Sequence, residues 1–408
     1  MTFRKMQISD ITFFGFASAV FLVATGVFFL QWPFWGDEQH FIETIRLFGH
    51  LPLFEVIRDY PEVTTPLFYF VFASWGHFFD FSVSSLRIFS LVIAWINYLM
   101  LFVTVSQCIK DKRLAILVCL SVLLNPYILG LSIFVFTDML TLLFVLVSVS
   151  AYARGHMFVC AFSIACAMLC RQYAVIFLAA MFSLEMWRMV KVPFLIESTK
   201  GVLLLSFAAI PLCLLFLLWG GISPPSGVAK WVMVRSVVWK PHALLTYIGF
   251  LSIYLIPFFI LTRFSFSRTF QWLLLSFVLG GTYFIFGIEP SAEQRANGID
   301  TVGLAHRLIK LLAAHVQFIR LEGIVLYVSI SFGFYVLITI IRDDVRKLSV
   351  WQGSNAHHFV LSLSLYLFLV VMPFSYQIWE KYLVMILPFV MMRLTLVGRD
   401  APSPAIIE

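Results

Sequence analysis

Apolar runs of roughly 20 residues recur from one end of this sequence to the other, and a helix needs about that many to cross a bilayer. Of the 408 residues, 61% are hydrophobic and only 12% are charged, whereas about a quarter are charged in soluble domains. A chain of this composition cannot cover a water-facing surface. It indicates a multi-pass membrane protein and excludes soluble enzymes, secreted disulfide scaffolds and nucleic-acid-binding proteins.

The apolar runs predict an all-α, polytopic bundle of about 12 transmembrane helices. Their expected ranges are 11–31, 84–109, 113–131, 137–154, 157–170, 173–190, 201–220, 243–262, 269–287, 323–341, 358–374 and 380–397. No stretch has the composition of a separate soluble domain. We therefore expect one transmembrane domain over residues 1–408, ending in a disordered polar tail at 399–408.

The basic residues between these runs set the expected orientation, because cytosolic loops are enriched in Lys and Arg. They share one side only if residues 32–83 contain no complete crossing, so we predict that 32–83 is a first outer loop. Within it we expect two helices lying in the membrane surface, at 38–49 and 66–79. Further outer loops are expected at 221–242 and 288–322. The net charge of +7 thus reflects topology and not a polyanionic partner.

Two adjacent acids, Asp37 and Glu38, come directly after the aromatic segment that ends the first predicted span. Aromatic neighbours beside a bilayer lower the local dielectric and raise the pKa of a carboxyl group toward the range useful to a general base. Acids are also favoured at helix N-termini, so both residues can simply cap the helix at 38–49. The sequence leaves both interpretations open.

Asp138 is the only acid between Asp111 and Glu185, and it lies at the outer end of the fourth predicted span. Ionisable groups in membrane segments are costly and are functional by default. The alternative is a helix cap formed by Thr137 and Asp138.

Arg171 and Gln172 lie between two apolar runs, on the side where Arg is uncommon. An outward Arg among apolar neighbours suits an anion, and phosphate is the natural one. The alternative is a salt bridge to Asp138 or to an acid of the first outer loop. Other outward cations form either a phosphate-facing rim or solvated loop charge: Lys230, Arg235, Lys240 and His242.

Glu380, Lys381 and Tyr382 open the last predicted span on the same outer side and can supply one more cation. Motifs of other chemistries are absent from the sequence: it has no DxD, Walker A, GxSxG, HExxH or Rossmann pattern. ATP-driven transport and zinc-dependent hydrolysis therefore have no support. We expect no metal ligands, and a divalent cation is possible but not required.

Several short motifs together resemble the GT-C superfamily of integral-membrane glycosyltransferases, and most closely its dolichyl-phosphate-glucose-dependent α-1,2-glucosyltransferase family. They are Gly36-Asp37-Glu38 with His40, Val63-Thr64-Thr65-Pro66 with Tyr69, Leu86-Arg87-Ile88, Thr137-Asp138, Cys170-Arg171-Gln172, Gly220-Gly221-Ile222, and Glu380-Lys381-Tyr382 with Leu387-Pro388. This chain departs from that family in two places. The family carries its acid one residue after the position of Asp138, and it has a His- and Asn-rich stretch where 299–320 has only His306 and His315.

The resemblance implies a GT-C fold and inverting transfer of a hexose from a polyprenyl-phosphate sugar to a hydroxyl of a lipid-linked glycan or other glycoconjugate. It implies that Asp37 takes the hydroxyl proton while Arg171 and Lys381 stabilise the leaving phosphate. Glu38 or Asp138 would hold the acceptor or orient the cations. The remaining implied substrate-binding residues are Thr64, Thr65, Gln172, Glu380 and Tyr382.

The active site would face the periplasm if the membrane is a bacterial inner membrane, or the lumen if it is the endoplasmic reticulum. The main alternative function is a transporter or lipid flippase without transferase activity. Transporters usually contain internal repeats and broken spans near the midplane, whereas the ionisable residues here gather toward one membrane face. A polysaccharide polymerase or ligase would share the lipid-linked substrate and differ only in its acceptor.

Overall fold

The computed structural model describes residues 8–191, 196–230, 238–264, 266, 270–316, 320–349, 356–375 and 377–399. Within these ranges the chain is helical and contains no β-strand. It forms two compact units, and each is described separately below. The first comprises Met1–Cys119 and Leu123–Arg235, and the second comprises Leu120–Val122 and Ser236–Glu408. Whether the two units together form the single transmembrane domain that we expect over residues 1–408 stays a prediction.

Twelve α-helices lie in the part of the chain that forms the first unit. They are α1 (Ile8–Phe29), α2 (Glu38–His50), α3 (Leu53–Arg58), α4 (Leu67–Phe78), α5 (Val83–Cys108), α6 (Lys112–Leu123), α7 (Pro126–Ile133), α8 (Thr137–Ala153), α9 (Met157–Cys170), α10 (Val175–Lys191), α11 (Ile196–Trp219) and α12 (Pro225–Lys230). At the centre, α8 packs between α5 and α9, while α1 covers α5 and α11 covers α9.

The second unit contains nine α-helices among the residues described. They are α13 (Pro241–Tyr254), α14 (Ile256–Thr262), α15 (Phe270–Gly280), α16 (Tyr283–Phe286), α17 (Ala292–Ala296), α18 (Leu304–Val316), α19 (Leu321–Ser349), α20 (Ala356–Val371) and α21 (Leu387–Arg399). The long helix α19 is central, because α13, α15, α18, α20 and α21 all pack against it.

Six helical segments are long and apolar enough to cross a membrane, and a seventh span results if the bent pair α6–α7 is counted as one. The chain is therefore a multi-pass membrane protein. The pair is bent by 71° because Asn125 and Pro126 start a new helix. The Asn125 side chain accepts hydrogen bonds from the Tyr127 and Ile128 amides at 2.9 and 3.2 Å, and Pro126 has no N–H with which to continue α6.

The other five predicted spans coincide with shorter apolar helical segments of 10–17 residues. These are Thr137–Ala153, Met157–Cys170, Phe270–Phe286, His358–Phe374 and Leu387–Val397. The positions of the apolar runs are thus reproduced as helices. The count of 12 complete crossings stays a prediction, because segments of this length are shorter than the usual transmembrane helix.

The two helices predicted within the first outer loop are present as α2 and α4. The spacing of Phe41, Ile45 and Phe48 gives α2 one apolar stripe, and these three side chains are buried in the protein. It packs against α4, where the Phe41 ring lies 6.2 Å from that of Phe68 and the Phe48 ring lies 5.4 Å from that of Tyr69. This stripe therefore joins the two helices to each other. Their location in the membrane surface stays a prediction.

The other two predicted outer loops contain short helices. In 221–242 the structure has α12 and the start of α13, and residues 231–237, which include Arg235, lie outside the described residues. In 288–322 it has α17, α18 and the start of α19, with 317–319 outside the described residues. The tail that we expected to be disordered lies outside them from residue 400 onward.

Candidate active site

Glu38, the first residue of α2, has no exposed surface and forms a two-point ion pair with Arg87 of α5. Its Oε1 accepts from Arg87 Nε at 2.9 Å, and its Oε2 accepts from Arg87 Nη2 at 2.6 Å. The Val135 amide also donates to Oε1 at 3.0 Å, and the Trp35 amide donates to Oε2 at 3.3 Å. Because four donors surround it, this carboxylate is held in one position.

Arg87 is itself fully buried and organises the chain that leaves α1. Its Nη1 donates to the carbonyl oxygens of Phe29, Leu30 and Trp32 at 2.8, 3.2 and 2.7 Å. The last carbonyl groups of a helix have no hydrogen-bond donors within the helix, and here the Arg87 guanidinium donates to the carbonyl groups at this end. Together with Glu38, it fixes the backbone on both sides of Asp37.

Asp37 stands at the N-cap position of α2, but its side chain makes no capping hydrogen bond. Its side chain is half-buried, in contrast to the fully buried Glu38 next to it. The two adjacent acids therefore have different surroundings. Glu38 takes part in a closed internal network, and the capping interpretation does not account for Asp37.

Asp138 lies in the first turn of α8 and is fully buried. Its Oδ2 accepts from Arg171 Nη2 at 3.0 Å, and its Oδ1 accepts from the Tyr173 hydroxyl at 2.9 Å. The Nε of Arg171 donates to the Thr137 hydroxyl. Of the alternatives that the sequence left open for Arg171, the salt bridge to Asp138 is present.

Glu62 lies in the turn between α3 and α4, is only 4% exposed, and was not among the predicted site residues. Its Oε1 lies 3.4 Å from Nζ of Lys230, the last residue of α12. The pKa of Glu62 is raised to about 7, chiefly by burial; the charge of Lys230 opposes this rise, the charge of Asp37 adds to it, and the charge of Arg171 opposes it. A carboxyl group with such a pKa exchanges protons near neutral pH.

These effects on Glu62 show that Asp37, Arg171 and Lys230 are all close enough to act on it electrostatically. We call these four residues, Asp37, Glu62, Arg171 and Lys230, the charged cluster. They come from four separate parts of the first unit: the N-cap of α2, the turn between α3 and α4, the residue after α9 and the last residue of α12. The structure thus brings the predicted residues Asp37 and Arg171 near Glu62, in a group of two carboxylates and two cations.

Three other predicted residues, Thr64, Thr65 and Gln172, hold the segment that carries Glu62. The Thr64 hydroxyl lies 2.6 Å from that of Tyr69, and Thr65 Oγ1 donates to the Met168 carbonyl oxygen at 2.8 Å. Gln172 Nε2 donates to the Val63 carbonyl oxygen at 2.6 Å and to that of Ile222 at 3.2 Å. Their contacts in the structure are therefore to protein groups around Glu62.

Helix α12 also approaches this segment closely. A Cβ atom added to Gly227 would collide with the Glu62 carbonyl group, so only glycine permits the observed packing. The start of α12 is fixed by Asp59, whose side chain accepts from the Ser226 amide at 2.7 Å and from the Ser226 hydroxyl at 2.6 Å. Glu62 and Lys230 are thus positioned by contacts between neighbouring backbones.

Glu380, Lys381 and Tyr382 belong to the second unit. The Glu380 carboxylate is fully buried and accepts from the Ala305 amide at 2.9 Å and the His306 amide at 2.8 Å. It therefore caps the N-terminus of α18. Lys381 Nζ lies 5.8 Å from the centre of the Trp379 ring, and Tyr382 is buried. Of the other expected outward cations, Lys240 donates to the Ser375 carbonyl oxygen at 2.9 Å.

Among the described residues, no three His, Cys, Asp or Glu side chains are grouped so that they could hold a metal ion. The charged cluster accordingly contains two carboxylates and two cations, and no imidazole or thiolate belongs to it.

No protein-family model matches this chain, and no curated protein matches it. Two solved structures are similar, both of ArnT from Cupriavidus metallidurans. The apo crystal structure has a TM-score of 0.41 and 14% identity, over 94% of this chain and 78% of that one. The crystal structure bound to undecaprenyl phosphate has a TM-score of 0.42 and 14% identity, over 96% and 79%.

Proposed function

We propose that this protein is an inverting membrane glycosyltransferase. It transfers a hexose from a polyprenyl-phosphate sugar to a hydroxyl of a lipid-linked glycan or other glycoconjugate, at the non-cytosolic membrane face. The observation that carries the proposal is the charged cluster, in which carboxylates able to accept a proton lie beside cations able to bind a phosphate. The resemblance of the sequence motifs to the GT-C superfamily supports the same reaction.

In this reaction the acceptor oxygen attacks the anomeric carbon, and the bond from that carbon to the phosphate oxygen breaks with its electron pair on the phosphate. The hydroxyl proton passes to a carboxylate, and a polyprenyl phosphate leaves. General base catalysis of such a step typically contributes about 10²–10⁴-fold. We assign it to Asp37, because this side chain is half-buried and outside the closed network of Glu38.

Arg171 and Lys230 would stabilise the negative charge that develops on the leaving phosphate. Groups that are already oriented where charge develops are effective in a site of low dielectric. Arg171 is oriented by Asp138 and Thr137, and Lys230 by Glu62. Asp138 and Glu62 are therefore positioning residues in this proposal. The resemblance suggests Lys381 as the second cation, and we assign this role to Lys230 instead.

Glu38 is also a positioning residue in this proposal, because its ion pair with Arg87 fixes the backbone on both sides of Asp37. Thr64, Thr65 and Gln172 act similarly on the segment that carries Glu62. No step requires a divalent cation, so we expect transfer to persist in the presence of EDTA. Roles for Glu380, Lys381 and Tyr382 in substrate binding stay predictions from the resemblance.

Purified protein in nanodiscs, incubated with labelled polyprenyl-phosphate hexoses and a lipid extract, tests the proposal. We expect label from one donor to appear in a glycolipid, or as free sugar when the acceptor is omitted. The Asp37→Asn variant, purified to the same yield, serves as the inactive control. Movement of the lipid-linked sugar between leaflets without any transfer or hydrolysis would instead support the flippase alternative and overturn the proposal.

A further inference from the structure

Helix α18 (Leu304–Val316) differs from the apolar helices of the second unit. Its 13 residues extend about 20 Å, whereas the hydrocarbon core of a bilayer is about 30 Å thick. It also carries Arg307 and Lys310 within its length. It is therefore too short and too charged to cross the membrane.

The rotation of α18 about its own axis is fixed by contacts on one face. The Glu380 carboxylate accepts hydrogen bonds from the amides of its first turn. The His306 side chain, which is 1% exposed, accepts from the Val302 amide through Nδ1 at 3.2 Å, and its Nε2 lies 3.1 Å from Oε1 of Glu322 in α19. The face that carries His306 is consequently turned into the unit.

The opposite face carries a stripe of leucines, which we call the leucine stripe: Leu304, Leu308, Leu311 and Leu312. At about 3.6 residues per turn this spacing puts the four side chains along one side of the helix. They are 47%, 56%, 51% and 52% exposed. Apolar surface left in water costs roughly 25 cal/mol per Å², so four neighbouring leucines on one face require an apolar environment.

The charges of α18 suit an anionic partner. Arg307 is exposed and lies beside the leucine stripe, because Leu304 and Leu311 are its neighbours at i−3 and i+4. Lys310 is half-buried on the side of His306, where it donates to the Asp300 carbonyl oxygen at 2.6 Å. An amphipathic helix with leucines on one face and a basic residue beside them is typical of helices that lie in a membrane surface.

We propose that α18 lies flat in the membrane surface. The leucine stripe enters the upper acyl region, and Arg307 contacts the phosphates of anionic lipid headgroups. Glu380 and His306 hold the helix in this orientation. The inference requires no transferase chemistry, so it goes beyond the proposed function.

Depth-dependent quenching tests this inference. The environment-sensitive NBD fluorophore is attached to a cysteine at Leu308 or Leu311, with Ala314→Cys as the matched control on another face of α18. The background carries Cys108→Ala, Cys166→Ala and Cys213→Ala, because these three cysteines are not buried. The protein is placed in vesicles of equal parts phosphatidylcholine and phosphatidylglycerol, with or without brominated acyl chains.

We expect brominated lipid to quench the label at 308 and 311 more strongly than at 314, and aqueous iodide to do the reverse. Arg307→Gln should shift the ratio of docked to undocked helix by about fivefold in these vesicles, and much less in phosphatidylcholine alone. Strong iodide quenching at 308 and 311 would overturn the inference, since the stripe would then face water. Protection from both quenchers would also overturn it, since protein would then cover the stripe. Neither outcome depends on enzymatic activity.

Discussion

The carboxylate of Glu62 lies 3.4 Å from the ammonium group of Lys230, and burial nevertheless raises its pKa to about 7. An ion pair normally lowers the pKa of a carboxyl group. Here removal from water and the nearby charge of Asp37 outweigh the attraction of Lys230. Glu62 therefore changes its charge within the physiological pH range, and its ion pair with Lys230 is lost when it is protonated.

The rate of transfer should therefore rise with pH through about 7, because only ionised Glu62 keeps Lys230 paired and oriented. In Glu62→Gln this limb of the pH profile should disappear and the rate should be low throughout. Initial rates between pH 5.5 and 8.5 measure this. Glu43→Gln is the control, since Glu43 is exposed in the same loop and contacts Gln39. A Glu62→Gln profile with an unchanged limb would contradict the assignment.

The raised pKa of Glu62 also predicts a change in stability. A carboxyl group whose pKa rises on folding binds its proton more tightly in the folded state, so its contribution to stability falls as pH rises. The fall begins near the reference pKa of 4.5 and is complete above about 7, and it amounts to about 3 kcal/mol. Glu62→Gln should remove it, so the variant should lose less stability than the wild type between pH 5 and 8. Thermal unfolding in detergent measures the difference, and equal losses in the two proteins would count against it.

Asp37→Asn should reduce transfer by about 10²–10⁴-fold, since an amide cannot accept the hydroxyl proton. We expect the fold to be retained, because asparagine has nearly the same volume and shape as aspartate. Transfer rates, with purification yield and unfolding temperature as controls, check both expectations. Wild-type activity in this variant would remove Asp37 from the mechanism.

Arg171→Met should destabilise the protein by about 3–5 kcal/mol, because it leaves the buried Asp138 without its cation. Adding Asp138→Asn should restore most of the stability, and transfer should stay low because the leaving phosphate still lacks Arg171. The matched control is Arg188→Met with Glu185→Gln, another pair that includes a buried carboxylate. Recovery of transfer in the Arg171→Met, Asp138→Asn protein would show that Arg171 acts only on structure.

Gly227→Ala should lower transfer while preserving expression, because the added methyl group must displace the backbone of Glu62. Gly221→Ala is the matched control, since nothing lies within 4 Å of a Cβ atom at that position. Comparison of kcat and KM for the two variants measures the effect. Equal activities would indicate that the position of Glu62 is not important for the reaction.

The sequence predicted the helices well, because a long apolar run has few other stable forms in a membrane. It also predicted that Arg171 needs an anionic partner, and it included Asp138 among the candidates. It did not identify Glu62, which looks like any of the seven acids of its loop. The decisive contact of Glu62 is with Lys230, 168 residues away, and no local pattern reports a contact of that range.

Arg87 shows a different limit of sequence reasoning. Its place at the start of a span signals that a partner exists, and the partner proved to be Glu38, which the sequence offered as a catalytic residue. The apolar stripe of α2 contacts α4, although a helix in the membrane surface turns such a stripe toward lipid. Periodicity identifies which face of a helix is apolar, but not whether protein or lipid covers that face.

The guanidinium of Arg87 also has a consequence for biogenesis. The carbonyl groups of Leu30 and Trp32, just after α1, accept from this guanidinium, which lies 57 and 55 residues later in the chain, at the start of α5. Until that segment is synthesised, these carbonyl groups must remain in contact with water or with the insertion machinery, because unpaired polar groups in hydrocarbon cost several kcal/mol each. The first and fifth helices therefore reach their final depth together, and the loop that carries Asp37 is closed in the same step.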